Sequence, residues 1–307
     1  MKSKPIQNLA ASVHQRLLNR ADETGEDAQY VHLRYGLERL LYRLSQSKHA
    51  DEFVVKGATL FLVWKGEPYR PTKDVDLLAL KGDSPARFEK VFRELCALTV
   101  VDDGLVFSLE SVRANEIREN AAYQGVRVTL EARLGRARIP LQVDIGFGDA
   151  VTPKATEAEF PPLLEFPAPL LSMYPKETVV AEKFEAMVKL GILNSRMRDY
   201  YDPWVLAREF EFDGETLSTA ISATFRRRKT PLTAEVPLAL TAEFSGDTVK
   251  PRQWQAFVRK GRFKVVETNL EKVVPVVAEF VMPAATAASE HRAFKAHWLK
   301  GGPWKSA

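Results

Sequence analysis

The chain has 307 residues and a formal net charge of +4, with 45% hydrophobic and 27% charged residues. That size and composition suit a folded protein of two domains and exclude a disordered or fibrous chain. Cys96 is the only cysteine, which excludes an internal disulfide or a cysteine-built metal site, and its apolar neighbours predict a buried thiol. The five histidines have no ligand spacing. Carboxylates must therefore hold any metal, which favours a hard cation such as Mg²⁺, with Mn²⁺ as an alternative.

Neither end of the chain suggests export or a membrane anchor. Arg16 and Arg20 interrupt the first twenty residues, so a signal peptide is not expected. The apolar stretch at 273–288 contains two prolines and a glutamate, and we expect it to be too short and too interrupted to span a bilayer. These features predict a cytoplasmic protein.

The hydrophobic pattern predicts helices first, then an α/β core, then more helices. In chain order we expect helices at 6–22 and 28–46, a strand at 53–55, a turn at Gly57, a helix through Trp64, a strand at 73–80 and a helix at 85–98. Three alternating strands of an antiparallel or mixed sheet follow, at 104–112, 125–134 and 137–147. The proline-rich segment 151–171 predicts a surface loop, and helices are expected at 176–193, near 203–210, and onward. Residues 1–150 would thus contain the N-terminal helices and the core, and 151–307 a linker and a helical domain.

Positive charge is concentrated in that second part. Residues 203–307 hold 16 Lys and Arg against 11 Asp and Glu. Two clusters stand out, one at 226–229 and one made of Arg252, Arg259, Lys260, Arg262 and Lys264. Such clusters are either a solvated surface or a contact for a phosphate backbone, and the second alternative predicts that the helical domain binds RNA.

Three aspartates on two predicted strands form a candidate metal site. Asp74 and Asp76 lie two apart, so both side chains project from one face of their strand, and Asp144 lies between Val143 and Ile145 on another strand. Carboxylates about 5 Å apart would repel by roughly 3 kcal/mol per pair at an effective dielectric near 20. A divalent cation relieves that repulsion, so we predict Asp74, Asp76 and Asp144 as metal ligands.

Nucleotidyl transfer is the chemistry that needs such a cluster. A cation lowers the pKa of an attacking hydroxyl and neutralises the triphosphate, and Asp144 could serve as third ligand or as base. Gly57, Ala58 and Thr59 precede a predicted helix, where backbone N–H groups and the Thr59 hydroxyl could approach phosphate oxygens. Taken alone, Gly57 would be a tight turn and Thr59 a helix cap. Together with the aspartates, they favour an NTP-binding enzyme.

These residues resemble the motifs of the AbiEii-type nucleotidyltransferase toxins, which include the MenT toxins and belong to the polymerase-beta-like nucleotidyltransferase superfamily. The opening motif, a Gly-Gly or Gly-Ser before a helix and then Arg-x-Thr-x-Asp-x-Asp, is similar to Gly57-Ala58-Thr59 and RPTKDVD at 70–76. VDIGFG, AEKFEAMVK and RDYYD follow in the family's order and contain Asp144, Lys183, Lys189, Asp199 and Asp202. Ala58 departs from the pattern, since it replaces the second Gly or Ser.

The resemblance implies a polymerase-beta-like core with a mixed sheet, and a toxin that adds nucleotides from an NTP to the 3′ end of tRNA. A separately encoded antitoxin would neutralise it. Lys183, at the edge of the buried stripe of its helix, would neutralise the triphosphate, whereas Lys189 lies nearly opposite. Arg70 would pair with the acids or clamp a phosphate, and Asp199 would lie at the nucleotide or in a turn. We exclude Asp202, because Pro203 after it predicts a helix N-cap.

Two other classes of function fit the same residues. The enzyme could act on a small molecule such as an aminoglycoside, or on a protein, with the same fold. Alternatively, the chain could be a catalytically silent module that binds tRNA or a partner protein.

Overall fold

The computed structural model describes residues 8–67, 69–82, 84–118, 124–261 and 263–306. The chain divides into two compact units. The first comprises Met1–Glu67, Thr72–Gly148 and Glu157–Met173, and the second comprises Pro68–Pro71, Asp149–Thr156 and Tyr174–Ala307. The first unit thus includes residues beyond the division expected at residue 150.

Among its described residues, the first unit contains a seven-stranded sheet and four α-helices. The helices are α1 (Leu9–Thr24), α2 (Ala28–Ser45), α3 (Leu60–Lys65) and α4 (Pro85–Ala97). The strands are β1 (Phe53–Lys56), β2 (Val75–Ala79), β3 (Leu105–Arg118), β4 (Gln124–Leu134), β5 (Ala137–Phe147), β6 (Thr156–Glu159) and β7 (Leu170–Met173), in the order β3-β4-β5-β2-β1-β7-β6. Since β2 is antiparallel to β1 and parallel to β5, the sheet is mixed, as predicted.

Side chains cap the helices of the first unit. Asn8, Asp27 and Ser84 each accept a hydrogen bond from a backbone N–H in the first turn of α1, α2 and α4. The helix predicted at 6–22 therefore begins at Leu9 in the structure, and residues 6 and 7 of that prediction lie outside the described residues.

The proline-rich segment differs from its prediction as a loop, because it contributes β6 and β7. Both strands have only four residues, and prolines between them hide the alternating pattern that marks a strand. Pairing of β7 with β1, where Val55 lies opposite Met173, is a contact between distant parts of the chain. Local sequence therefore could not predict it.

The second unit is mainly helical, as predicted. Its helices are α5 (Lys176–Leu190), α6 (Arg198–Glu209), α7 (Gly214–Arg228), α8 (Ala242–Ser245), α9 (Lys250–Lys260) and α10 (Leu270–Ser289). A small antiparallel sheet, which we did not predict, adds β8 (Phe212–Asp213), β9 (Ala296–Trp298) and β10 (Trp304–Ser306) in the order β10-β9-β8.

Helix α10 corrects the prediction that the apolar stretch at 273–288 is interrupted. It is continuous for 20 residues through Pro275 and Pro283, and by length and composition alone it could cross a membrane. However, 56% of its most apolar window is buried, and α10 packs on α6 and α7 with Val277 and Phe280 fully covered. Core helices of folded proteins commonly have this composition, so we interpret α10 as the core of the second unit.

Candidate active site

Strand register brings two of the predicted acids together. In the parallel pair of β2 and β5, Asp76 lies opposite Asp144. Neighbouring strands are about 4.8 Å apart, so these two residues are adjacent on one face of the sheet. Residues that alternate with them, Val75 and Val143 among them, are buried on the other face, while both aspartates are only half-buried. The predicted juxtaposition of Asp76 and Asp144 is therefore present.

Gly57 holds the turn against which the Asp76 carboxylate rests. It follows β1 with φ of 80°, a left-handed backbone conformation that favours glycine. A Cβ placed on Gly57 would lie 2.1 Å from Asp76 Oδ2, closer than any side chain can approach. The turn alternative for Gly57 is thus correct, and the same glycine also makes room for the carboxylate.

Thr59 and Ala58 complete this turn. Thr59 occupies the N-cap position of α3, as its cap alternative predicted, but its side chain makes no capping hydrogen bond. Its hydroxyl instead donates to the Lys56 carbonyl over 3.2 Å. Ala58 is buried. Its methyl group is therefore covered by neighbouring atoms.

Asp74 lies just before β2 rather than on it. The Thr72 hydroxyl donates to Asp74 Oδ1 over 2.9 Å. The Gln142 side-chain amide lies 3.4 Å from Asp74 Oδ2 and 3.3 Å from Asp144 Oδ1. The Gln142 side chain therefore links two of the acids.

Arg127 is a member of the site that sequence analysis missed. Its Nε lies 2.8 Å from Asp144 Oδ1 and its Nη2 lies 2.7 Å from Oδ2, a bidentate ion pair. A signal for it exists in the sequence: the two-residue turn at Gly135 and Arg136 pairs Leu134 with Ala137, and counting back along β4 and β5 sets Arg127 opposite Asp144.

The acids fit a metal site of a particular kind. Among the described residues, no three acidic, histidine or cysteine side chains form a ready-made metal cage, in contrast to the arrangement expected from the sequence. Mg²⁺ often needs no such cage, since it keeps several waters and binds one or two carboxylates together with substrate phosphates. Asp74 and Asp76 supply oxygen ligands of that type, while Asp144 is engaged by Arg127.

In the second unit, Lys183 lies among buried carboxylates. Its Nζ is 2.9 Å from Asp199 Oδ1 and 3.6 Å from Asp202 Oδ2, and both aspartates are buried. Asp199 is part of the first turn of α6 and bonds to a lysine, so it is more than a turn residue. Lys189 is exposed on the same helix as Lys183.

Arg70 forms an ion pair, but with an acid that the sequence analysis had excluded. Its Nε and Nη2 lie 2.7 and 3.0 Å from the two carboxylate oxygens of Asp202. The predicted N-cap at Asp202 is wrong, because α6 begins at Arg198 and includes Pro203. Burial alone would raise the pKa of Asp202, but Arg70 and Lys183 outweigh burial and lower it. Asp202 is therefore an ionised partner within the second unit.

The basic clusters are only partly available to a ligand. Arg228 is bound inside the second unit by Asp149, Glu182 and Glu185, so it is neither solvated nor a phosphate contact. The exposed members of the two clusters are Arg226, Arg227, Lys229, Arg252, Arg259, Lys260 and Lys264. Arg262 lies outside the described residues.

Comparison with known proteins places these motifs in a family. The sequence model of the family described as "Nucleotidyl transferase AbiEii toxin, Type IV TA system" matches residues 39–274, which include all the motif residues from Gly57 to Asp202. That description is of nucleotidyltransferases that act as toxins of toxin–antitoxin systems. The chain belongs to the AbiEii nucleotidyltransferase toxin family, and the resemblance inferred from the motifs is confirmed.

A solved structure supports the fold. The crystal structure of JHP933 from Helicobacter pylori is 13% identical over 86% of this chain and 94% of that chain, with a TM-score of 0.50. A candidate nucleotidyltransferase from H. pylori, also 13% identical, matches over 86% of this chain and 96% of that one with a TM-score of 0.48. No curated protein matches. The likeness to JHP933 and the mixed seven-stranded sheet confirm the predicted fold class.

Proposed function

We propose that this protein transfers a nucleoside monophosphate from an NTP to RNA, with the 3′ acceptor end of tRNA as the target. Translation would stop because the modified tRNA cannot be charged. The protein would act in the cytoplasm and be neutralised by a separately encoded antitoxin. The observation that carries the proposal is the register of Asp76 against Asp144, beside the Gly57 turn, within the matched family range.

The first unit supplies the residues for the phosphates and the reacting hydroxyl. Asp74 and Asp76 would hold Mg²⁺ or Mn²⁺, and the bound metal would neutralise the triphosphate and acidify the attacking hydroxyl. The backbone after Gly57 and the hydroxyl of Thr59 would orient phosphate oxygens. Asp144 would be a third ligand or would accept the proton of the attacking hydroxyl.

Roles in the second unit follow from the family motifs. Lys183 would neutralise the triphosphate, and Asp199, bonded to it, would hold its ammonium in position. Lys189 is exposed and ranks second as a phosphate contact. The ion pair of Arg70 with Asp202 favours a structural role for Arg70 over a phosphate clamp.

RNA is favoured over a small acceptor by the exposed basic clusters. The clusters at 226–229 and around 252–264 keep seven exposed cations among the described residues. Clustered cations bind a phosphate backbone by releasing its counterions. A pocket for an aminoglycoside would instead need acidic side chains that pair with the amines of that substrate.

Incubation with total tRNA, Mg²⁺ and each radiolabelled NTP separately tests this function. We expect label on tRNA with at least one NTP, and no label when the metal is chelated. Label retained on an aminoglycoside or on protein instead would replace RNA as the acceptor. Tight tRNA binding with no pyrophosphate released from any NTP would identify a silent binding module.

A further inference from the structure

The ion pair between Arg127 and Asp144 occupies the carboxylate that lies opposite Asp76 in the strand register. Both oxygens of Asp144 accept from the guanidinium, at 2.8 and 2.7 Å, and Oδ1 also lies 3.3 Å from the Gln142 amide. A carboxylate engaged in this bidentate way has few lone pairs left for a cation. The charge repulsion that a metal was expected to relieve is therefore already reduced by an arginine.

The two partners differ in how far they are exposed. The Asp144 side chain is 14% exposed and fixed on a central strand, whereas the Arg127 side chain is 41% exposed. Because the arginine is partly exposed, water can take over the hydrogen bonds of the guanidinium when it leaves Asp144. Its planar donors fit phosphate as well as carboxylate, so an incoming triphosphate or RNA backbone offers it a second partner.

We propose that Arg127 is a built-in counter-cation that masks Asp144 and thereby limits how many divalent cations the nucleotide-free site binds. This inference rests on the proposed metal-dependent function. With the guanidinium on Asp144, a second cation would be repelled by its charge and would lack Asp144 as a ligand. Departure of the guanidinium exposes Asp144, and the third carboxylate then becomes available.

Titration of the nucleotide-free full-length protein with Mn²⁺ tests the proposal, with free Mn²⁺ measured by electron paramagnetic resonance. We expect Arg127→Gln to bind one more Mn²⁺ per chain than the wild type. Arg127→Lys, which keeps the charge but loses the bidentate geometry, should bind the additional ion more weakly than Arg127→Gln. This second variant also serves if Arg127→Gln does not fold, as checked by circular dichroism.

Two controls assign the effect to Asp144. Adding Asp144→Asn to Arg127→Gln should remove the additional ion. Arg133→Gln changes another arginine of β4, one that pairs with Glu131 over 2.9 Å, and should leave the Mn²⁺ count unchanged. Equal Mn²⁺ binding by the wild type and Arg127→Gln, or an additional ion that persists without Asp144, would overturn the proposal.

The same titration separates this inference from the proposed function. If the protein transfers no nucleotide but Arg127→Gln binds an additional ion that depends on Asp144, the proposed function is wrong and the counter-cation role of Arg127 stands. If the protein transfers nucleotide but the Arg127 substitution does not change the number of Mn²⁺ ions bound, the proposed function stands and the counter-cation role is wrong.

Discussion

The geometry of the site leaves no room for a side chain at Gly57. Its left-handed φ costs other residues on the order of 1 kcal/mol, and a Cβ would also meet the Asp76 carboxylate. We expect Gly57→Ala to lower nucleotide transfer because Asp76 must move. Gly135→Ala is the matched control: Gly135 also has a positive φ, but its Cβ would meet nothing within 4 Å.

The comparison needs both stability and transfer rates. Urea unfolding should show a similar loss of about 1 kcal/mol or more from the backbone conformation in the two variants. Only Gly57→Ala should also lose transfer activity. Equal activity in the two variants would mean that the close approach of Gly57 to Asp76 does not affect nucleotide transfer.

Arg70 is expected to stabilise the fold rather than clamp a phosphate. Asp202 is buried, and removing one partner of a buried ion pair costs about 3–5 kcal/mol. Lys183 Nζ, 3.6 Å from Asp202 Oδ2, still compensates part of the buried negative charge when Arg70 is removed. Arg70→Ala should therefore lower the free energy of unfolding, measured in urea, by roughly 2–4 kcal/mol. Arg133→Ala, which breaks a half-exposed pair, should cost under about 1 kcal/mol. A phosphate clamp would instead raise the KM for NTP and leave stability unchanged.

Individual acids were predictable from the sequence, whereas the ion pair of Arg70 with Asp202 was not. Asp74, Asp76 and Asp144 stand out because acids on apolar strands are costly without a purpose. Arg70 and Asp202 are 132 residues apart along the chain, so nothing local connects them. Pro203 after Asp202 suggested that a helix starts there, whereas α6 begins at Arg198. A short stretch of sequence does not reveal the tertiary contacts that override such a local preference.

Helix α2 buries several charged residues. Glu38, Arg39 and Arg43 are all buried, and Arg43 pairs with buried Asp103 over 2.7 Å. Glu38 Oε2 accepts from the Leu163 backbone over 2.7 Å. The helix is covered on both sides because residues 157–173 return to the first unit. Periodicity predicts only one covered face.

This burial gives the first unit a pH dependence. Burial raises the pKa of Glu38 to about 7 from an ordinary value of 4.5. The protonated form thus favours the folded state, and its contribution, present below pH 4.5, is lost as the pH rises through 7. The free energies of unfolding of Glu38→Gln and of the wild type are compared between pH 5 and 8. As the pH rises, the variant should become more stable relative to the wild type, by on the order of 1–3 kcal/mol. Glu110→Gln, at an exposed position, is the control. A pH-independent difference for Glu38→Gln would contradict the raised pKa.

Strong local patterns located most elements to within a few residues, as α4 and β5 show. Segments that depend on pairing with distant strands, such as β6 and β7, were missed. Prolines led to two wrong predictions, a helix start in α6 and an interruption in α10, because both helices contain proline in their interior.

The proposed RNA surface predicts a salt-dependent binding defect. Arg259 and Lys260 are exposed at the end of α9. Changing both to glutamine should weaken tRNA binding and reduce the slope of log K against log salt by up to about 1.4–1.8, for two lost phosphate contacts. Lys90→Gln with Arg93→Gln removes two exposed cations of α4 and should change the slope much less. An equal change in both double variants would show that the attraction is nonspecific.

The nucleotidyltransferase site is tested most directly by neutralising one carboxylate without disturbing the packing. Asp76→Asn keeps the shape of the side chain and removes a charge from the proposed metal site, while Asp51→Asn removes the charge of an exposed aspartate in the same unit. We measure transfer of labelled nucleotide to tRNA by both variants, together with their thermal unfolding. We predict that Asp76→Asn loses transfer by at least about 100-fold with its fold intact, and that Asp51→Asn keeps the wild-type rate. Wild-type transfer by Asp76→Asn would contradict the assignment of this site.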